Sequence, residues 1–526
     1  MVVVDQRWTL HVENIGKVLA ADIQIAPLIC FVGDNNSGKS YIMTLLWGLI
    51  NNGRKELLSE VSVSDAESSG VYKKCYEWLK SHLDGGQVEI DTETAYVYIS
   101  WFNELLNQKK EKLLKKLFNF GVHASKIEIR DFQLEKPIKL FFASTLENFI
   151  PLLKNEQKPL LTFGKDSDYE YTDRDLLRIN CNICWTLLMR GLGSQYNGDS
   201  NHVHEFGEPI YFPASRTGIL LTYKQLISNM LEANDAKLTL PYIDFLRLLV
   251  KLEPAEEKLS KTRKELLQFI QNQITCGGMK VKKGYIPTFE YRPLDSRLDM
   301  PLHVTSSVVT EVAPLALLLQ SNIRFRTIVI EEPEAHLHPA LQKFMAQCII
   351  RLVNGGYNVW ITTHSDVILQ HINNMIKLCN NPKRDMLLNQ FNYEGQDWIS
   401  KEKIEMYQFT SYAADLGIAM ENSQRRGPAI ESDRNTSLPY YRADSQVVDR
   451  EVNGEVSGNV KNVEFPLSLF SSSAHRGSKI VKSAVRQRGT YVKKLEANEY
   501  GFIVPTFNDA LEKILDEVYA FQGDED

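Results

Sequence analysis

Two groups of residues about 290 positions apart carry chemistry that neither has alone. The first is Gly33-Asp34-Asn35-Asn36-Ser37-Gly38-Lys39-Ser40, which fits G-x-x-x-x-G-K-[ST] at every fixed position. Glycines at 33 and 38 let the backbone turn its N–H groups toward a β-phosphate, Lys39 adds a point charge at the β/γ oxygens, and the Ser40 hydroxyl suits Mg²⁺. Asn35, Asn36, Ser37 and Tyr41 complete the candidate nucleotide contacts. The second group is Glu331-Glu332, which closes the β-forming run Thr327-Ile328-Val329-Ile330. At a strand tip Glu331 is placed to hold a Mg²⁺ shell, and Glu332, one residue on, to polarise an attacking water. A phosphate cradle and a metal-and-water site together point to hydrolysis of ATP with Mg²⁺.

Both groups need elements that hold them. Pro27 to Val32 reads as a short buried strand and Ser40 to Ile50 as an apolar-faced helix, so the glycine loop sits between strand and helix with a helix N-terminus facing the phosphates. Pro333 stops the second strand. After Glu334-Ala335-His336-Leu337-His338-Pro339 and a helix, another apolar strand, Tyr357 to Ile361, ends in Thr362-Thr363-His364-Ser365. A histidine after a strand is ordinarily a polar loop residue; this one falls at the next strand end, about thirty residues past the carboxylates.

At these residues the sequence resembles the ABC-type, AAA-family ATPases of the OLD and RecF/SMC grouping, and the run Ile330 to Pro339 resembles their bacterial OLD-like branch. Val12-Glu13-Asn14-Ile15-Gly16-Lys17, Tyr211-Phe212-Pro213-Ala214-Ser215-Arg216, Tyr500-Gly501-Phe502 and Pro505-Thr506-Phe507 extend the likeness, which runs from Trp8 to about Phe409 and resumes at Tyr491. The resemblance implies an α/β fold: an ABC-type (RecF/SMC-like) P-loop ATPase head with an inserted helical arm and a C-terminal α+β extension. It implies that His364 senses the γ-phosphate, and that two heads sandwich ATP, each completing the other's site with a signature serine. The matching stretch is Thr305-Ser306-Ser307-Val308-Val309-Thr310-Glu311. Valines at 308 and 309 replace the glycines of the L-S-G-G-Q pattern, so only the serine role carries over, to Ser307. The alternative is a polar turn that caps the helix Val312 to Gln320.

Relatives of this kind serve as ATPase subunits of two-gene anti-phage systems of the PARIS and Septu type, where slow hydrolysis controls a separate effector. The resemblance therefore implies a homo-oligomer, an ATP-sandwich dimer or larger, and a nuclease or toxin encoded nearby. A RecF-type DNA-repair clamp and a scaffold that uses ATP as structural glue are the alternatives. OLD nucleases add a C-terminal module needing D-x-D after a strand. The only D-x-D beyond His364 is the tail Asp524-Glu525-Asp526, so the chain is not expected to be a nuclease itself.

The spacing between the two groups exceeds that of transporter ATPases and falls short of SMC coiled coils, which divides the chain as follows. Residues 1–55 form the first part of the head, 56–205 a mainly helical insertion, and 206–300 a mixed helical arm with a β-hairpin. Residues 301–409 form the second part of the head, 411–490 a Ser/Arg/Gly-rich insertion, and 491–526 a C-terminal helix region. Tyr72 to Leu83, Trp101 to Phe120, Asp173 to Met189 and Leu220 to Ile270 carry apolar residues at helical spacing, without a sustained heptad seam.

With 526 residues, 43% hydrophobic and 24% charged, the chain has the composition of a multi-module soluble protein. No apolar run near the motifs approaches membrane length and the start lacks a signal pattern, so no membrane partner and a cytoplasmic location are expected. Seven scattered cysteines fit a reducing compartment. Cys181 and Cys184, with His202 and His204 downstream, do not match finger spacing and read as small apolar thiols on a helix. A net charge of −6 argues against a general DNA coat. Two basic clusters, Lys109-Lys110 with Lys112, Lys115 and Lys116, and Lys479 to Lys494, leave nucleic acid possible, with solvated faces as the alternative. Residues 411–490 read as an exposed insertion that either docks a partner or is inert.

Overall fold

The computed structural model describes residues 6–83, 86–134, 137–143, 161–164, 171–189, 192, 209–233, 238–255, 259–414, 487–498 and 501–505. Contacts divide the chain into a large unit, residues 1–412 with 488–526, and a second unit, 413–487. The interior of that second unit, with the 415–486 part of the expected insertion and Lys479, Lys482 and Arg486 of the second basic cluster, lies outside the described residues, as do His202, His204 and the tail from Thr506.

The large unit is organised on a nine-stranded sheet. Its strands are β1 (Gln6–Ile15), β2 (Val18–Gln24), β3 (Leu28–Gly33), β4 (Lys126–Leu134), β5 (Ile210–Phe212), β6 (Thr327–Glu331), β7 (Asn358–Thr362), β8 (Ile404–Ala414) and β9 (Gln487–Leu495), in the order β4-β1-β2-β9-β8-β3-β7-β6-β5. From β8 to β5 neighbouring strands run parallel, and β4-β1-β2 form an antiparallel wing. The parallel strands β3, β6 and β7 are buried along their whole length, which is why they read as unbroken apolar runs rather than alternating ones. Successive side chains point to opposite faces. Ile29, Phe31, Val329 and Trp360 enter one apolar cluster, and Leu28, Cys30, Val32, Ile328, Ile330, Val359 and Ile361 enter the other.

Helix α1 (Lys39–Gly53) covers the first face together with the inserted helices α2 (Gly70–His82), α3 (Thr92–Phe118) and α4 (Asp173–Met189). These three confirm helices over the expected segments, and their apolar faces join the core of the head: Leu79, Trp101, Leu106 and Trp185 share a cluster with Trp47 of α1. The Trp8 indole of β1 donates to the Leu188 carbonyl of α4 at 3.0 Å. The other face is covered by α5 (Arg216–Ala233), α6 (Ser307–Leu319), α7 (Pro339–Asn354) and α8 (Asp366–Lys377). A hairpin, Gly277–Lys282 with Thr288–Pro293, forms within 206–300.

The sheet does not respect the sequence boundaries. Strand β4 comes from within 56–205 yet pairs with β1, and β5 comes from within 206–300 yet pairs with β6. The interruption read as 411–490 also narrows, because β8 continues to Ala414 and β9 begins at Gln487. What was read as the start of a C-terminal helix region opens with strand β9. Among the described residues no helix is long and apolar enough to cross a membrane.

Candidate functional site

Register brings the two sequence groups together. Phe31 of β3 lies beside Thr362 of β7, and Thr362 beside Glu331 of β6, so Gly33, Thr363-His364 and Glu331-Glu332 leave three adjacent parallel strands at the same edge. Carboxyl ends of parallel strands are where open α/β sheets bind ligands.

The phosphate loop is shaped by its backbone. Gly33 has φ +124°, and a Cβ there would meet the Phe409 carbonyl oxygen of β8 at 2.1 Å; Gly38, at φ +94°, would meet Val18 at 2.6 Å. No side chain caps α1 and its first turn has no acid, so its N–H groups are free for an anion. Lys39 is buried and folds back on the loop, donating to the carbonyls of Gly33 (3.0 Å) and Asp34 (2.6 Å) and to Ser37 Oγ (3.3 Å). Burial pushes its pKa down to about 8, against the pull of Glu332, Asp34, Glu334 and Glu331. Asn35, Asn36 and Ser40 are exposed at the loop and Ser37 is buried. The Tyr41 ring stacks on Phe118 of α3, centroids 5.1 Å apart, and stays partly exposed.

Glu331 is buried at the end of β6. Its Oε2 accepts the Ala214 N–H at 3.2 Å, and its Oε1 has no hydrogen-bond partner among the described residues. A buried carboxylate oxygen left so is costly, and a divalent cation is the kind of group that satisfies it. Glu332 has φ +45°, a left-handed conformation uncommon outside glycine. Its N–H donates to the Thr362 carbonyl at 2.8 Å, and its own carbonyl accepts the Ala335 N–H at 3.0 Å. Its carboxylate makes no hydrogen bond among the described residues, which leaves it free for a water.

Glu334 staples two of the loops: its carboxylate accepts the His364 N–H at 2.6 Å and the Thr363 hydroxyl at 2.9 Å. Burial holds its pKa above the usual carboxylate range. Burial, then the charge of Lys39, keeps the His364 imidazole below its ordinary pKa, so the ring is neutral near pH 7.

Ser307 lies in the first turn of α6. Helix α6 starts five residues earlier than the sequence suggested, Ser306 caps it by accepting the Val309 N–H, and Ser307 is exposed. No hydrogen bond among the described residues joins it to the phosphate loop. The capping role thus falls to Ser306. His338 caps α7, accepting the Ala340 N–H, and His336 is exposed with φ +58°.

Sequence reasoning gave no role to Arg216 or Glu311. Arg216 is buried and donates to the carbonyl oxygens of Glu331 and Glu332 while pairing with buried Glu311 of α6. The signals were present but carried no role: Arg216 closes the Tyr211-to-Arg216 stretch and follows β5 by four residues, next to the Glu331 strand, and Glu311 closes the signature stretch.

The remaining candidates resolve as packing. Cys181 and Cys184 point their thiols at the carbonyls of Leu58 and Tyr98, and burial pushes the Cys181 thiol up to about 12, the reverse of what a metal ligand needs. No cluster of three or more metal-ligating side chains occurs among the described residues. On α3, Lys109 and Lys110 donate to the carbonyls of Leu57 and Ser125, and Lys112 pairs with Glu60, so three of its five lysines are engaged within the chain. On β9, Lys494 pairs with Glu405 at 2.7 Å.

A family model described as the AAA ATPase domain matches residues 9–369. No curated protein matches significantly. Similar solved structures include an SMC head bound to the C-winged helix domain of ScpA, at 11% identity and TM-score 0.29, covering 69% of this chain and 91% of that one. Another is an SMC head domain with an extended coiled coil bound to the C-terminal domain of ScpA, from Pyrococcus furiosus, at 11% identity and TM-score 0.28, covering 69% and 90%. The fold assignment, an α/β P-loop ATPase head, rests on the strand order and the family match rather than on these alignments. The matched residues exceed half of the chain and contain the phosphate loop, the Glu331-Glu332 pair and His364, and the chain therefore belongs to the AAA ATPase domain family.

Proposed function

We propose that the protein is a slowly turning ATPase head that works as a nucleotide-gated homodimer or larger homo-oligomer and controls a separate effector protein. The observation behind it is the convergence of Gly33-to-Ser40, Glu331-Glu332 and His364 on one sheet edge, with Lys39 under the field of both glutamates. In this reading the loop N–H groups and Lys39 hold the phosphates. Asn35, Asn36 and Ser37 shape that loop, with Tyr41 beside it in the first turn of α1. Ser40 and Glu331 are the residues that would hold Mg²⁺, whose chemistry when bound is to neutralise charge on the phosphate oxygens. Glu332 polarises the attacking water and neutral His364 donates toward the γ-phosphate. Ser307, exposed in the first turn of α6, serves the nucleotide of a second subunit.

The effector step rests on the resemblance of the chain's size and motif set to ATPase subunits of two-gene anti-phage systems; in this reading the partner is a nuclease or toxin. Engagement of three α3 lysines within the chain favours this over a DNA clamp. Replacing Glu332 by Gln keeps its size and removes the base. The variant should still bind ATP with Mg²⁺ and accumulate as the ATP-bound oligomer, while hydrolysis falls by about 10² or more. Wild-type turnover in Glu332→Gln would refute the assignment.

A further inference from the structure

The buried Arg216 side chain spans three segments that chain order keeps apart. Its Nη1 donates to the carbonyls of Pro213, at 3.3 Å, and of Glu331; its Nη2 donates to the Glu332 carbonyl at 3.0 Å and meets the Glu311 carboxylate. Glu311 also accepts the Thr217 hydroxyl at 2.7 Å and lies one helical turn beyond Ser307 on α6. Glu332, meanwhile, needs an external hold, because its left-handed φ is not one its own side chain favours. Buried ion pairs contribute little net stability, and their best-attested use is to fix register. A planar guanidinium can grip two consecutive carbonyls and a carboxylate at once; an ammonium is a point charge and cannot.

We propose that Arg216 is a positioning residue that sets the backbone of Glu331 and Glu332, and that its pair with Glu311 couples the Ser307 end of α6 to that backbone. The proposal rests on the hydrolysis reading above. Engagement of α6 by a second subunit would then reach the water-polarising carboxylate through one side chain, making hydrolysis depend on assembly.

Steady-state ATPase assays and ATP-dependent thermal shifts on the full chain test it, using wild type, Arg216→Lys, Glu311→Gln and the double variant. Arg216→Lys should lower kcat by about 10²-fold, the scale of a misplaced catalytic group. Its KM for ATP should stay within about twofold, and its ATP-induced rise in melting temperature should persist. The double variant should lose no more activity than the worse single one, as groups acting in one unit do. Normal kcat in Arg216→Lys, or a loss matched by loss of ATP protection, overturns the proposal. So do losses that multiply in the double variant. If Arg216→Lys does not fold, Thr217→Val removes the hydroxyl that holds Glu311 and keeps both charges. It should lower kcat at unchanged KM, and unchanged kcat again overturns the coupling. A wild-type protein that does not hydrolyse ATP sinks the proposed function itself, a result distinct from all of these.

Discussion

In the proposed function Lys39 has two sets of partners to choose between: the loop carbonyls it touches and the phosphate oxygens of a bound nucleotide. Its pKa of about 8 follows from burial outweighing four carboxylates, so the charged form is the costly one in the free protein. Below pH 8 the ammonium is present and can recruit a phosphate; above it the amine is neutral. A bound triphosphate restores the charged form, so binding above pH 8 must take up a proton, and affinity must fall as pH rises through about 8. Calorimetric titration of the protein with ATP at pH 8.5, in buffers of different ionisation enthalpy, should show that uptake. Lys39→Ala should lose both the uptake and the thermal protection by ATP. A flat affinity between pH 7 and 9.5 would contradict this account. At this scale the sequence was informative about placement: Gly33, Glu331, Glu332 and His364 stand at or just past strand ends as expected, because apolar runs mark strand ends directly. Arg216 and Glu334 escaped because their roles arise from loops that meet only after the sheet has formed.

Elements tell a similar story with a different failure. Helices α2, α3 and α4 were legible from apolar spacing, but α3 starts nine residues before the expected Trp101, at a cap that went unread, Asp91 accepting the Thr94 N–H at 2.8 Å. What spacing does not carry is the partner of an apolar face. The inserted helices bury Leu79, Trp101 and Leu106 in the same cluster as β1 and α1, so they are part of the head's core rather than a separately folding arm. Strand β4 was hidden for a related reason: Ile127, Ile129 and Phe132 are buried, but Asp131 at φ +51° breaks the alternation that identifies a strand. A shared core makes a definite demand on unfolding. Leu106→Ala, far from the phosphate loop in sequence, should cost about 2–5 kcal/mol and lower the single denaturation transition of the large unit, with ATP protection lost in the same step. A separate early transition that leaves ATP protection intact would mean that the insertion folds alone.

At the scale of the whole molecule, the proposed function requires that a change at the nucleotide edge be delivered to a partner protein. Strand β8 reaches the edge with β3, its Phe409 carbonyl closing on Gly33, and β8 and β9 are neighbours in the sheet. The second unit, 413–487, is therefore strung between two strands of the sheet that carries the phosphate loop, and β8 packs directly on that loop. In the proposed function this segment, joined at both ends to the sheet, is the candidate that passes a nucleotide-dependent shift to a partner. The structure also sets the cut: removing 411–490 would take strand residues with it, whereas 415–486 leaves β8 and β9 whole. Replacing 415–486 by a short Gly/Ser bridge should leave ATP turnover within about twofold of wild type, because Gly33 to Ser40, Glu331, Glu332 and His364 all belong to the other unit. If the proposed partner docks on this segment, the same variant should lose the co-purification with a neighbour-encoded protein that the wild type is expected to show. Retained co-purification would move the docking surface onto the large unit, and loss of the fold would show that 415–486 is needed to hold β8 and β9 in the sheet.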